Sequence, residues 1–278
     1  MTDSALSDFL ASPTARTLTG GVLTVLFCED DAYLAATVDN ALAQKPAHLL
    51  CIGRVDGLLA QDGVSLIPAD LADRYSRDRI MNRLIDRFDG RWIHWLNNGE
   101  FFFYPWCETR TVGDLAAFLA DERRPILYTY GLDLYGRTLP DPNDDPRTAE
   151  MWLDTRAYYA FPAENRRLAF FGGLGWRFED LILSSLQQVG RAGLFRAQKG
   201  VHIRRDMVFG DDAYVSVSAP WHNSATGAVM SLRRTRHLFA APGFVDVQDR
   251  LFWPGSVRFE WTSEQLLNLG MIEPGQWF

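Results

Sequence analysis

Val22-Leu23-Thr24-Val25-Leu26-Phe27 is an unbroken run of apolar and β-branched residues, the pattern of a strand buried on both faces. Asp30 and Asp31 follow it and offer N-caps, and Leu34, Val38, Ala41 and Leu42 then recur at helical spacing. Lys45-Pro46 stops that helix, and His48-Leu49-Leu50-Cys51-Ile52 reads as the next strand. Strand, helix and strand within about thirty residues form a βαβ unit, whose crossover is right-handed in nearly all proteins. This unit constrains the fold more than any other feature, because two parallel strands need a helix packed across them.

The alternation continues. Val64-Ser65-Leu66-Ile67 reads as a short strand, and Ser76 as a cap for a helix carrying Ile80, Met81, Leu84, Ile85 and Phe88 on one face. Trp92-Ile93-His94-Trp95-Leu96 is a strand ending abruptly in Asn97-Asn98-Gly99. Thr111 with Asp114 resembles a capping box before Leu115, Phe118 and Leu119, and residues 125–130 form another strand. The expected fold class is α/β, with a Rossmann-like, mostly parallel sheet flanked by helices.

Near Arg137 the pattern changes. Residues 139–146 hold three prolines among polar turn-formers, a loop of the kind that covers sites. Beyond it, Phe178 to Val189 reads as a helix, with Leu181, Ile182, Leu186 and Val189 inward. Short alternating strands surround it, such as Tyr214–Ser218 and Val257–Trp261. The expected organisation is an N-terminal extension (1–20), a ligand-binding half (21–136), a loop (137–150) and a mixed α+β half (151–278) sharing the same core.

At 278 residues and 47% hydrophobic, the chain has the material for a substantial core. Its net charge of −7 and lack of basic runs argue against a nucleic-acid partner. Cys28, Cys51 and Cys107 form no CxxC pair and read as buried, reduced thiols. The N-terminus lacks the pattern of a secretory signal, and no apolar run reaches the ~20 residues of a membrane span, so a cytoplasmic location is expected. P-loop, dinucleotide, zincin and serine-hydrolase motifs are missing from the sequence.

In an open α/β sheet, ligands bind beyond the carboxyl ends of the strands. That rule selects three loops: Cys28-Glu29-Asp30-Asp31, Gly53-Arg54-Val55-Asp56-Gly57 and Asn97-Asn98-Gly99-Glu100. Their acidic and amide groups suit the base and ribose of a nucleotide, although Asp30 and Asp31 serve equally well as helix caps.

The order of these elements, with the Trp-flanked strand running into Leu96-Asn97-Asn98-Gly99-Glu100-Phe101, resembles bacterial family 2-like glycosyltransferases of the GT-A fold. In that group the strand ends in Asp-x-Asp-Glu-Phe. Phe171-Gly172-Gly173, Lys199-Gly200-Val201-His202-Ile203-Arg204 and Pro220-Trp221-His222-Asn223 extend the resemblance. It implies transfer of a sugar from a nucleotide-sugar donor to a polysaccharide or lipid-linked acceptor. Glu29, Asp30, Asp56 and Asn97 would contact the nucleotide, and Lys199 and Arg204 the diphosphate. Glu100 and His222 would be catalytic, Glu100 or an acid from Asp141–Asp145 as base.

The sequence departs from the family where a metal would bind. Asn97 and Gly99 stand for the two aspartates, and Gly53 for a third, which makes Mn²⁺ or Mg²⁺ doubtful and leaves the metal ligands unknown. Glu100 is then a lone ligand or a structural residue fixing its loop. Lys199, Arg204 and Arg205 either neutralise a diphosphate without metal or lie on a solvated strand edge. Most of the nine tryptophans belong to the core, with Trp106 and Trp221 the two to test against a saccharide. The alternative to an enzyme is a non-catalytic relative that binds a glycan, a nucleotide or a protein.

Overall fold

A computed structural model describes residues 2–73, 75–162, 168–183, 186, 189–205, 207–210 and 225–277. The strands are β1 (Val22–Cys28), β2 (His48–Gly53), β3 (Val64–Pro68), β4 (Trp92–Asn97), β5 (Glu100–Phe103), β6 (Ile126–Asp133), β7 (Trp152–Asp154), β8 (Tyr158–Pro162), β9 (Leu168–Gly172), β10 (Gly190–Arg196), β11 (Ile203–Arg205), β12 (Val208–Phe209), β13 (Gly227–Ser231) and β14 (Ser256–Arg258). The α-helices are α1 (Thr2–Ala11), α2 (Pro13–Thr17), α3 (Leu34–Ala43), α4 (Ser76–Arg87), α5 (Val112–Asp121), α6 (Leu174–Arg177), α7 (Arg233–Ala240) and α8 (Ser263–Asn268).

The chain is α/β. Eight strands follow the hydrogen-bonded order β3-β2-β1-β4-β10-β6-β13-β5. The sheet is mixed: β3, β2, β1 and β4 run parallel, whereas β10 is antiparallel to β4 and β5 to β13.

Two compact units divide the chain: residues 1–98, 109–127 and 192–215 form the first, and residues 99–108, 128–191 and 216–278 the second. In the first unit every residue of β1, β2 and β4 is buried. Burial on both faces explains why these strands carry no polar alternation. Leu50, Ile52, Met81, Leu84, Ile93 and Phe195 form the centre of its core. Each such side chain contributes about 1.5–3 kcal/mol relative to exposure. The β11–β12 hairpin is tied to α4: Asn82 Nδ2 donates to the Ile203 carbonyl at 2.9 Å, and Met207 N–H to Asp78 Oδ1 at 2.8 Å.

In the second unit β13 lies between β6, to which it is parallel, and β5. Its own apolar cluster gathers Tyr135, Leu174, Phe178, Ile182, Leu238, Phe244 and Leu251.

Three local expectations need correction. Tyr33, at φ 57°, precedes α3 as its N-cap, so neither Asp30 nor Asp31 caps that helix. Tyr75, not Ser76, is the N-cap of α4, and Ser76 is its first residue. The helix expected from Phe178 is replaced by turns over residues 178–182, after the four-residue α6. Phe178 and Ile182 reach the apolar cluster from those turns, so burial is met without helical periodicity. Residues 184–185, 187–188 and the expected strand Tyr214–Ser218 lie outside the described residues.

Candidate functional site

In the first unit, neighbouring strands change from β2 to β4 on either side of β1, which makes the carboxyl ends of β1 and β4 the topological switch point. Phe27 and Asn97 are register partners there. Asn98, 2% exposed, joins the two loops. Its backbone N–H donates to the Phe27 carbonyl at 3.0 Å. Its Oδ1 accepts from Glu29 N–H at 3.0 Å, and its Nδ2 donates to Asp30 Oδ1 at 2.6 Å and to the Ala32 carbonyl at 3.1 Å. Asp30 Oδ1 also accepts Ala32 N–H at 2.9 Å, closing a local turn.

Thus Glu29, Asp30 and Asn97 are brought together. Asn97 is buried at the end of β4, and the half-exposed Glu29 carboxylate forms an ion pair with Arg77 at the start of α4. Arg54, exposed beside this loop, donates its N–H to the Cys28 carbonyl at 2.8 Å. Asp56 is exposed in the turn after β2.

Gly53, at the end of β2, leaves no room for a side chain. Its φ is 128°, and a Cβ would overlap the Cys28 carbonyl oxygen. That is a conformation side chains rarely adopt, in space the neighbouring strand already fills.

Glu100 belongs to the second unit, where it opens β5 opposite Ser231. It is 4% exposed, and Arg191 clasps it through Nη1–Oε1 at 3.2 Å and Nη2–Oε2 at 2.8 Å. Both carboxylate oxygens therefore accept from a guanidinium, the geometry of a structural bidentate pair.

Two further buried pairs accompany it. Asp133, the last residue of β6, accepts from Arg234 Nε at 2.6 Å and from Leu174 N–H at 2.8 Å. Burial pushes its carboxyl up, while the Arg234 guanidinium pulls the other way. Asp154 binds Arg177 at 2.9 Å and accepts from Tyr135 Oη at 2.5 Å and Trp253 Nε1 at 2.7 Å. Sequence reading missed these residues. The signals are an acid within apolar Leu132-Asp133-Leu134 and the Arg233-Arg234 pair.

The remaining candidates lie apart from the switch point. Lys199 follows β10, and its backbone N–H donates to Asp89 Oδ1 at 2.8 Å, at the amino end of β4. Arg204 is exposed on β11, over α4, and His202 beside it is exposed as well. Trp106 is 36% exposed and meets Trp277 edge-on, their ring centroids 6.2 Å apart. His222 and Trp221 lie outside the described residues.

The 137–150 segment is irregular, with one 3₁₀ turn at Pro146–Thr148. Asp141 and Asp145 accept hydrogen bonds from Asn143 and Arg147 within it. Among the described residues, no three His, Cys, Asp or Glu side chains gather in a way that could hold a metal ion. Nor do the residues at the expected positions fit one, since Gly53 admits no side chain and both Glu100 oxygens are engaged by Arg191. No helix among the described residues is long and apolar enough to cross a membrane.

No protein-family model matches the chain, and no curated protein matches it.

Proposed function

We propose that this chain is a glycosyltransferase-like protein of GT-A type, taking the nucleotide of a nucleotide-sugar at the carboxyl ends of β1 and β4. One observation carries the reading: the polar loops holding Glu29, Asp30 and Asn97 meet at the switch point of a parallel 3-2-1-4 strand order. The partly exposed Glu29 and Asp30 carboxylates at that place accept hydrogen bonds from a base and a ribose.

Transfer breaks the bond between the sugar's anomeric carbon and the donor phosphate oxygen, and the diphosphate leaves with the electron pair. An acceptor hydroxyl adds to that carbon and loses its proton. The leaving charge needs cations; Arg77, ion-paired with Glu29, and Arg54, whose backbone N–H bonds the Cys28 carbonyl, are the arginines this reading assigns to it. They replace Lys199 and Arg204 in this role, and no divalent ion takes part.

A second reading, a binding module without transfer, is favoured by the occupied state of the candidate bases. Glu100 is held by Arg191, and Asp141 and Asp145 are engaged in their own loop.

Thermal melting with UDP, GDP and CMP, with and without Mn²⁺, tests the site. One nucleotide should raise the midpoint equally in both conditions, since ligand at about 100 times its Kd adds about 2.7 kcal/mol. Absence of any shift would remove the nucleotide site. A shift without transfer or donor hydrolysis would select the binding module.

A further inference from the structure

At the opposite end of β4 the first unit has a cleft of about 710 Å³, a volume within the range of small-molecule sites. Arg123, Arg124, Arg196 and Lys199 line it, with Asp89 as its one acid and Trp92 among its apolar residues. Four cations against one carboxylate, on a chain with net charge −7, concentrate positive potential in one concavity.

Three segments build its walls, and backbone hydrogen bonds lock them together. Arg196 N–H donates to the Pro125 carbonyl at 2.7 Å, and Ala197 N–H to the Arg91 carbonyl at 2.6 Å. Arg196 Nε donates to the Gly90 carbonyl at 3.1 Å, and the Asp89 carboxylate accepts the Lys199 N–H. Arg123 and Arg124 follow α5, so the cations come from different parts of the chain. Arg123, Arg196 and Lys199 are exposed. Arg124 Nε is shielded from solvent and meets no acceptor among the described residues. A donor sealed without an acceptor is costly.

We propose that this cleft binds a phosphate-bearing anion carrying at least two charges. Guanidinium groups recognise phosphate through paired hydrogen bonds, and an ammonium adds a point charge. The site is distinct from the proposed nucleotide crevice, because the length of β4, roughly 16 Å at about 3.3 Å per residue, separates its two ends. It does not rest on the transferase reading.

Titration calorimetry with inorganic pyrophosphate on the full chain tests it, alongside flotation with phosphatidylcholine vesicles containing or lacking phosphatidylglycerol. Pyrophosphate should bind and weaken as salt rises. Lys199→Glu, and Arg123→Glu with Lys199→Glu, should weaken it at least about tenfold, the effect of losing charge-assisted contacts. Arg258→Glu, an exposed charge in the second unit, should leave it unchanged. If phosphatidylglycerol vesicles also bind, and pyrophosphate displaces them, the natural source is a lipid headgroup. Pyrophosphate binding without vesicle binding assigns a free anion. Each requires the same loss in the Lys199 variants. The proposal falls if neither probe binds, or if Lys199→Glu and the double variant, with unchanged circular dichroism, keep wild-type affinity.

Discussion

Arg191 donates to both oxygens of Glu100, and the two side chains are 17% and 5% exposed. Removing one member of such a pair leaves the other buried without its counter-charge, which costs about 3–5 kcal/mol. Glu100→Ala should therefore lower urea stability by that order, and adding Arg191→Leu should restore part of it. A Glu100→Ala variant within about 1 kcal/mol of wild type would show that the pair is not structural and return Glu100 to the candidate bases. The importance of position 100 was legible in the sequence, but its partner was not. Arg191 is 91 residues away, and no local pattern joins the two. The same limit applies to Asn97 and Asn98. Asn97 ends β4 and Asn98 follows it, and the Asn98 side chain bonds the β1 loop. A strand's period of two sets neighbouring side chains apart without revealing what either meets.

Where local chemistry dominates, elements are readable. Continuous apolar runs located β1, β2 and β4 to within a residue, because full burial on both faces leaves a plain compositional trace. The capping box before α5 is present in full: Thr111 Oγ1 accepts from Asp114 N–H at 3.1 Å, and Thr111 N–H donates to Asp114 Oδ2 at 2.8 Å. Thr111→Ala should cost about 1 kcal/mol in thermal or urea unfolding. These bonds, led by the Thr111 N–H, hold the Asp114 carboxyl below its ordinary value of 3.8. Its contribution is thus present above the ordinary carboxylate range and lost as pH falls through the lowered value. The Thr111→Ala penalty should stay constant above the ordinary carboxylate range and shrink as pH falls below it, and a penalty independent of pH would separate the cap from Asp114. Elements set by tertiary contacts were less legible. Phe101-Phe102-Phe103 is uniformly apolar, a pattern common to strands and other buried segments, and pairing with β13 makes it a strand. Residues 178–189 read as a helix from their apolar residues, but after α6 the described chain forms turns from which Phe178 and Ile182 join Tyr135 and Leu238 in the apolar cluster.

Across the whole molecule, the fold class followed from βαβ alternation, whereas the two compact units did not. The chain passes between them after residues 98, 108, 127, 191 and 215, and β6 and β10 each supply residues to both. Hydrophobic periodicity describes segments and carries no record of which distant segments pack together, so units assembled from several pieces escape it. Such interleaving predicts cooperative opening, because neither unit is a continuous stretch that could unfold without moving the other's connections. The cysteines supply the readout. Cys28 and Cys51 are buried in the first unit, and the partly exposed Cys107 belongs to the second. Desolvation pushes the Cys107 thiol up to about 12, and a hydrogen bond with Cys51, followed by burial, raises Cys28 well above its ordinary value. Raised values keep both as thiols at pH 8, where the thiolate is the reactive form. Native protein should therefore resist iodoacetamide at pH 8, with all three sites becoming labelled along one urea curve, followed by peptide mass spectrometry. Labelling of Cys107 at clearly lower urea than Cys28 and Cys51 would contradict this cooperativity, since the second unit would then be opening while the first stays closed.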